Sequence, residues 1–186
     1  METVSFTRMD QGTAEDYALV MRLAEAHKQE HLADNMFGML HLMEGPTLGY
    51  HIDRYQHSLQ TATLAMRDGA EEEMIVAALL HDIGDVLAPD NHSALAAAVL
   101  RPYVSEATHW IVLHHGIFQG YYFFHHIGQD RDARERYRGH PHFEACADFC
   151  ERWDQTSFDP DYDTAPLSVF VPMVRRLFDR EPSYGP

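Results

Sequence analysis

A histidine and an aspartate stand side by side, His81-Asp82, at the end of an apolar run of good helix formers, Glu71 to Leu80. That run reads as a buried helix, which carries both side chains into the interior. An imidazole and a carboxylate withdrawn from water are costly unless something compensates them, and the usual compensating partner is a metal ion. Gly84 then releases the backbone just past the pair. The rest of the chain has to fold around that point.

Elsewhere the apolar residues recur at helical spacing, and alternation of β-branched residues is absent. The expected fold class is therefore all-α, a single helical bundle with a buried binuclear metal site. Thr13 caps a first helix running to about Asp34, and a short piece from Met36 to Met43 ends at Gly45-Pro46. His51 to Arg67 forms the next helix, with Gly69 past its end. Asp90 or Asn91 caps a helix from His92 to Leu100, and Ser105 opens another from Glu106 to His115. The aromatic stretch from Gly116 to Gly128 reads as a packed, irregular wall, and Asp130 to Arg138 as a solvated helix face. Pro141 suits the first position of a helix running through Cys146 to Trp153-Asp154. A Pro- and Asp-rich loop from Phe158 to Pro166 leads to a last helix, Ser168 to Phe178. The whole, 1–186, is expected as one domain: an N-terminal helical extension (1–45), a metal-binding core (46–155), and a C-terminal loop and capping helix (156–186).

Charge narrows the partners. The net charge is -15 and Lys28 is the only lysine, which opposes nucleic-acid binding because phosphate neutralisation needs a basic face. No apolar run approaches the roughly 20 residues of a membrane span. The start, Met1 to Asp10, lacks the basic and apolar pattern of a signal peptide, so a cytoplasmic location is expected. Cys146 and Cys150, the only cysteines, read as reduced core thiols. The partner that remains is a small-molecule substrate, with dioxygen as a co-substrate in an oxygenase reading; the oligomeric state is not legible.

Buried side chains able to bind a metal occur in the order His57, His81-Asp82, His92, His115 and Asp154, each on a different helix or helix end. Of His114 and His115 the second is favoured as a ligand. His125, His126, His140 and His142 read as ordinary polar residues. Imidazole and carboxylate without thiolate suit iron or manganese, and zinc is compatible. Six ligands, with Asp82 bridging through both oxygens, can hold two ions.

This order resembles the HD-domain superfamily, whose motif is a histidine, a His-Asp pair and a distant aspartate: here His57, His81-Asp82 and Asp154. With His92 and His115 it is similar to the six-ligand, two-metal version. The nearest likeness is to mixed-valent di-iron oxygenases, among them a hydroxyphosphonate-cleaving enzyme and myo-inositol oxygenase. It covers roughly Gly49 to Asp154 and rests on His57-Ser58-Leu59-Gln60-Thr61-Ala62, Leu79 to Gly84, His115 with Tyr121, and Arg152-Trp153-Asp154. The resemblance implies two iron ions, with Mn2+, Zn2+ or Mg2+ as alternatives. Asp82 and Asp85 are expected as catalytic residues, and Tyr50, Arg54, His114, Gln119 and Tyr121 as substrate contacts.

Departures from the pattern redirect the substrate. Where such enzymes have a basic or neutral donor three residues past the His-Asp pair, this chain has Asp85; where the phosphonate enzyme has a lysine, it has Gln119. Thr47 and Tyr50 replace a tyrosine–glutamate pair. A doubly negative phosphonate beside Asp85 is disfavoured, so a hydroxylated or amine-bearing compound is expected, with Tyr121 and Tyr122 as cation–π partners. The same ligand order serves binuclear HD phosphohydrolases acting on phosphate esters or nucleotides, which is the alternative reading. A metal-binding sensor without turnover is a third.

Overall fold

The computed structural model describes residues 2–183, and among them every regular element is helical. Seven α-helices follow in order: α1 (Ala14–His41), α2 (Arg54–Arg67), α3 (Glu72–Leu80), α4 (His92–Leu100), α5 (Glu106–Phe123), α6 (Phe143–Phe149) and α7 (Leu167–Phe178). A π-turn, Cys150–Asp154, continues α6, and short 3-10 turns fill the connections. No helix is long and apolar enough to cross a membrane among the described residues.

The centre of the bundle is α2, whose residues from His57 to Thr63 are all buried. Its start is fixed by Asp53, whose carboxylate accepts from the Gln56 amide at 2.8 Å. Its end is closed by the Ala70 amide on the Ala65 carbonyl and the Gly69 amide on Met66. Four buried polar residues follow His57 on this helix, Ser58, Gln60, Thr61 and Thr63, and the two threonines solve their burial locally. The Thr61 hydroxyl donates to the His57 carbonyl at 2.8 Å and the Thr63 hydroxyl to that of Leu59 at 2.7 Å. Gln60 reaches across the fold to Asp159. Helix α3 packs along α2 and is buried from Ile75 to Leu80. A pair α4–α5 closes the other side, with α6 on α5 and α7 on α3.

Several expected boundaries move. Helix α1 is one continuous element with a capping box between Thr13 and Asp16, and no break falls at Asp34-Asn35. Ala33, Met36 and Leu40, spaced three and four apart, anchor its second half in the core and carry the helix through. Its first half is largely exposed. Helix α2 starts at Arg54, three residues later than read from sequence, because Asp53 takes the cap. The aromatic stretch after His115 is not an irregular wall: α5 runs unbroken to Phe123. Gly116 is there for proximity, since a Cβ would lie 2.9 Å from the Ser93 hydroxyl on α4. The charged stretch contains only a 3-10 turn, Ala133–Tyr137. Pro141 precedes α6, which begins at Phe143, and Asn91 stands at the α4 cap position without a side-chain capping bond. Cys146 and Cys150 are buried free thiols.

Candidate metal centre

Six side chains from five elements converge. The first turn of α2 supplies His57, the residues capping α3 supply His81 and Asp82, the first residue of α4 is His92, the middle of α5 gives His115, and the π-turn gives Asp154. Asp82 sits between them with its two oxygens facing opposite ways. Its Oδ2 lies 3.4 Å from Nε2 of both His57 and His81. Its Oδ1 lies 3.4 Å from Nε2 of His92 and 3.2 Å from that of His115. Asp154 Oδ1 completes the first group, 3.3 Å from His57 and 3.7 Å from His81. Two donor groups therefore share one carboxylate.

The local backbone aims these rings. His57 Nδ1 faces the Ser157 carbonyl at 2.9 Å, His81 Nδ1 that of Ala78 at 2.7 Å, and His115 Nδ1 that of Val112 at 2.7 Å. A carbonyl only accepts, so each Nδ1 carries a hydrogen and Nε2, turned inward, is the nitrogen left to bind a metal. His92 is placed by a close approach: a Cβ on Gly84 would lie 2.6 Å from the His92 carbonyl, so only glycine lets α4 come this near Asp82.

Electrostatics point the same way. Burial opposes a charge on His57, yet hydrogen bonds to Asp154 and Asp82 hold its proton up to about 9. Burial likewise favours the neutral acids, but hydrogen bonds and charge from their neighbours overcome it. His81 and Arg54 keep Asp82 well below the usual carboxylate range, and His57 and His81 do the same for Asp154. Carboxylates and lone pairs crowd together here, with the Nε2 atoms of His57 and His81 only 3.3 Å apart. Asp154 Oδ2 is buried without any hydrogen-bond partner. A cation satisfies all of this at once. Donors about 2.1 Å from a tetrahedral ion lie ~3.4 Å from each other, and the contacts above span 3.2 to 3.7 Å. The residues fit two metal ions, and the absence of thiolate among the donors suits iron, manganese or zinc. Cys150 is no ligand: burial pushes its thiol up and it donates to the His115 carbonyl.

A cavity of about 280 Å3 opens onto this centre, with Asp82, His92, His115 and Asp154 as its floor. Its walls include Tyr50, Arg54, Gln119, Tyr122, Phe123 and Phe158. Three of the five expected substrate contacts, Tyr50, Arg54 and Gln119, thus face it. Tyr50 is half exposed at the mouth and stacks on Phe158, centroids 4.9 Å apart. Gln119 Nε2 donates to Asp154 Oδ1 at 3.1 Å. Arg54 Nε donates to Asp85 Oδ2 at 2.5 Å, and its Nη2 lies 3.3 Å from Asp82 Oδ2. Burial opposes the charge on Arg54, but these two carboxylates more than offset it and raise its pKa.

The other two lie elsewhere. His114 stacks on Trp110 with centroids 4.1 Å apart and Nδ1 on the Trp110 carbonyl, because helical geometry turns it about 100° from its neighbour His115. Tyr121 is engaged by Arg134 and Arg131, 3.7 and 4.2 Å from its ring. It is therefore no free cation–π partner for a substrate; Tyr122 is the one that lines the cavity. Asp85, expected as catalytic, is not in the cavity wall. It stands behind it, between Arg54 and His92, with Oδ1 3.2 Å from His92 Nδ1. It contacts those two residues, and its charge is met by Arg54. Phe158 escaped sequence reading, since an aromatic in an irregular loop has no periodicity to betray it.

The HD domain, as a protein family, matches residues 54–156, from the first turn of α2 to just beyond Asp154. Among curated proteins no match was found.

Proposed function

The chain belongs to the HD-domain family, a superfamily of metal-dependent enzymes, and we propose that it is a di-iron oxygenase acting on a small hydroxylated or amine-bearing compound. The observation that carries this reading is the cavity wall. It is aromatic and amide-rich, and the one guanidinium among its described residues, Arg54, is already held by Asp85 and Asp82. Lys28 sits on α1, paired with Glu25. A phosphate group would find no uncommitted cation in that wall, whereas a hydroxyl or amine needs none.

Bound by the six ligands, an iron pair supplies one-electron chemistry toward dioxygen and Lewis acidity toward a substrate oxygen or nitrogen. The chain's own residues do the rest. Backbone carbonyls lock the imidazole tautomers, and Asp85 holds His92 and Arg54 in register. Phe158 lies against His57 and Tyr50 against Phe158, which keeps water from the inner face of the site. Asp82 is held ionised and so is an acceptor at the cavity floor, beside the place where a substrate proton would leave.

A second reading, a phosphohydrolase, draws on Arg54: released from Asp82, its guanidinium would be the natural partner of a phosphate. The test is to purify the protein without oxygen, measure its metals, admit oxygen and record electron paramagnetic resonance. Two irons per chain and a mixed-valent signal support the oxygenase. Zinc, magnesium or manganese with turnover of phosphate esters overturns it.

A further inference from the structure

We infer that Gln60 is a positioning residue for the metal centre: it clamps the 157–164 segment onto α2, and that segment sets the orientation of His57 and the cavity wall beside it. The inference rests on the reading of His57 as a metal ligand.

Gln60 lies one turn beyond His57 on α2 and is 2 % exposed. Both ends of its amide are spent on one residue 99 positions away. Nε2 donates to the Asp159 carbonyl at 2.8 Å, and Oε1 accepts from the Asp159 amide at 3.0 Å. Nε2 also reaches the Thr164 hydroxyl at 3.3 Å. Because an amide N–H can only donate and a carbonyl only accept, the side chain has one workable orientation here. The residues just before Asp159 are those that touch His57. Ser157 offers the carbonyl that takes the Nδ1 hydrogen, and Phe158 stacks flat on the ring, centroids 4.4 Å apart and planes 21° apart. A turn further along α2, the Thr63 hydroxyl accepts from the Ala165 amide and pins the far end of the same segment.

An irregular segment carries no backbone ladder of its own, so its position depends on such ties. With the clamp removed, the Ser157 carbonyl is free to drift from Nδ1. The ring then loses the contact that fixes its tautomer and aim. An interior glutamine with both ends committed to a distant loop is otherwise a costly way to fill space.

The test compares the wild type with Gln60→Met, similar in length but without hydrogen bonds, and with His57→Ala as reference. Metal-free protein is titrated with Mn2+ by calorimetry, and melting is followed with and without the ion. Loss of the clamp should weaken binding at one of the two positions about ten- to a hundred-fold and shrink the melting-temperature gain on adding metal. Equal lowering of both melting temperatures with unchanged Mn2+ affinity would mean that Gln60 only stabilises the fold, and would overturn the inference. If His57→Ala also leaves the affinity unchanged, the ligand assignment itself fails. Should Gln60→Met not fold, hydrogen exchange at the Asp159 amide of the wild type decides. Coupling is reciprocal, so slower exchange on Mn2+ addition supports the clamp and an unchanged rate refutes it.

Discussion

Asp85 and Arg54 meet at 2.5 Å, and the same carboxylate reaches His92 with its other oxygen at 3.2 Å. One acid thereby links a cavity-lining cation to an imidazole of the candidate metal centre. Asp85→Asn keeps the shape and removes the charge. It should lower metal affinity at the His92 position about tenfold or more, leave the His57 position unchanged, and free Arg54 toward the cavity. Metal titration combined with an Arg54→Met, Asp85→Asn double-mutant cycle measures both effects. A coupling energy near zero would contradict the pairing.

The split of Asp82 between two donor groups predicts unequal consequences for ligand loss. Asp82→Ala should abolish loading at both positions, whereas His92→Ala should leave one ion per chain and Asp154→Ala the other. Metal analysis after gel filtration counts them. One ion retained by Asp82→Ala would show that the carboxylate does not bridge.

Alkali should act on the metal-free protein in particular. His57 has its pKa raised from 6.5 to about 9. Its contribution to stability is therefore complete below about 6.5 and lost as pH climbs through about 9. Metal-free protein should lose on the order of 3 kcal/mol across that window. The metal-loaded protein, with an ion where the proton was, should not. Asp154 and Asp82, whose pKa values are depressed, stabilise above the ordinary carboxylate range and lose that contribution only in acid. Denaturant melts of both forms between pH 6 and 10 check the alkaline limb.

Gly84 gives a steric test. A methyl group there would meet the His92 carbonyl at 2.6 Å, which is backbone and cannot swing aside. Gly84→Ala should push α4 outward, costing roughly 1–3 kcal/mol of stability and with it the ion bound through His92. An alanine variant with two ions and wild-type melting would show that α4 does not need that proximity.

The six side chains that the structure brings together could be read from the sequence because each had a local signature. His81-Asp82 ends an apolar helix, His57 lies along an apolar stripe, and His92 and His115 fall on helical segments. What sequence could not give was the part made by distance. Phe158 meets His57, and Gln60 meets Asp159, each across about a hundred residues, and no local period marks either contact. His114 misled because neighbours in sequence point about 100° apart on a helix. Gly116 misled because a glycine that allows two helices to touch looks, in one dimension, like one that ends a helix. Asp85 looked like a repulsive charge until Arg54, three residues before His57, was placed against it.

The five residues from Cys150 to Asp154 wind as a π-turn, one residue looser than the α6 helix they continue. That looser winding sets where round the helix Asp154 falls, with its Oδ1 3.3 Å from His57 and 3.7 Å from His81. The number of residues along this stretch therefore places the carboxylate as much as its identity does, and a chain shortened here would have to rewind α6 to bring Asp154 back to the same two rings.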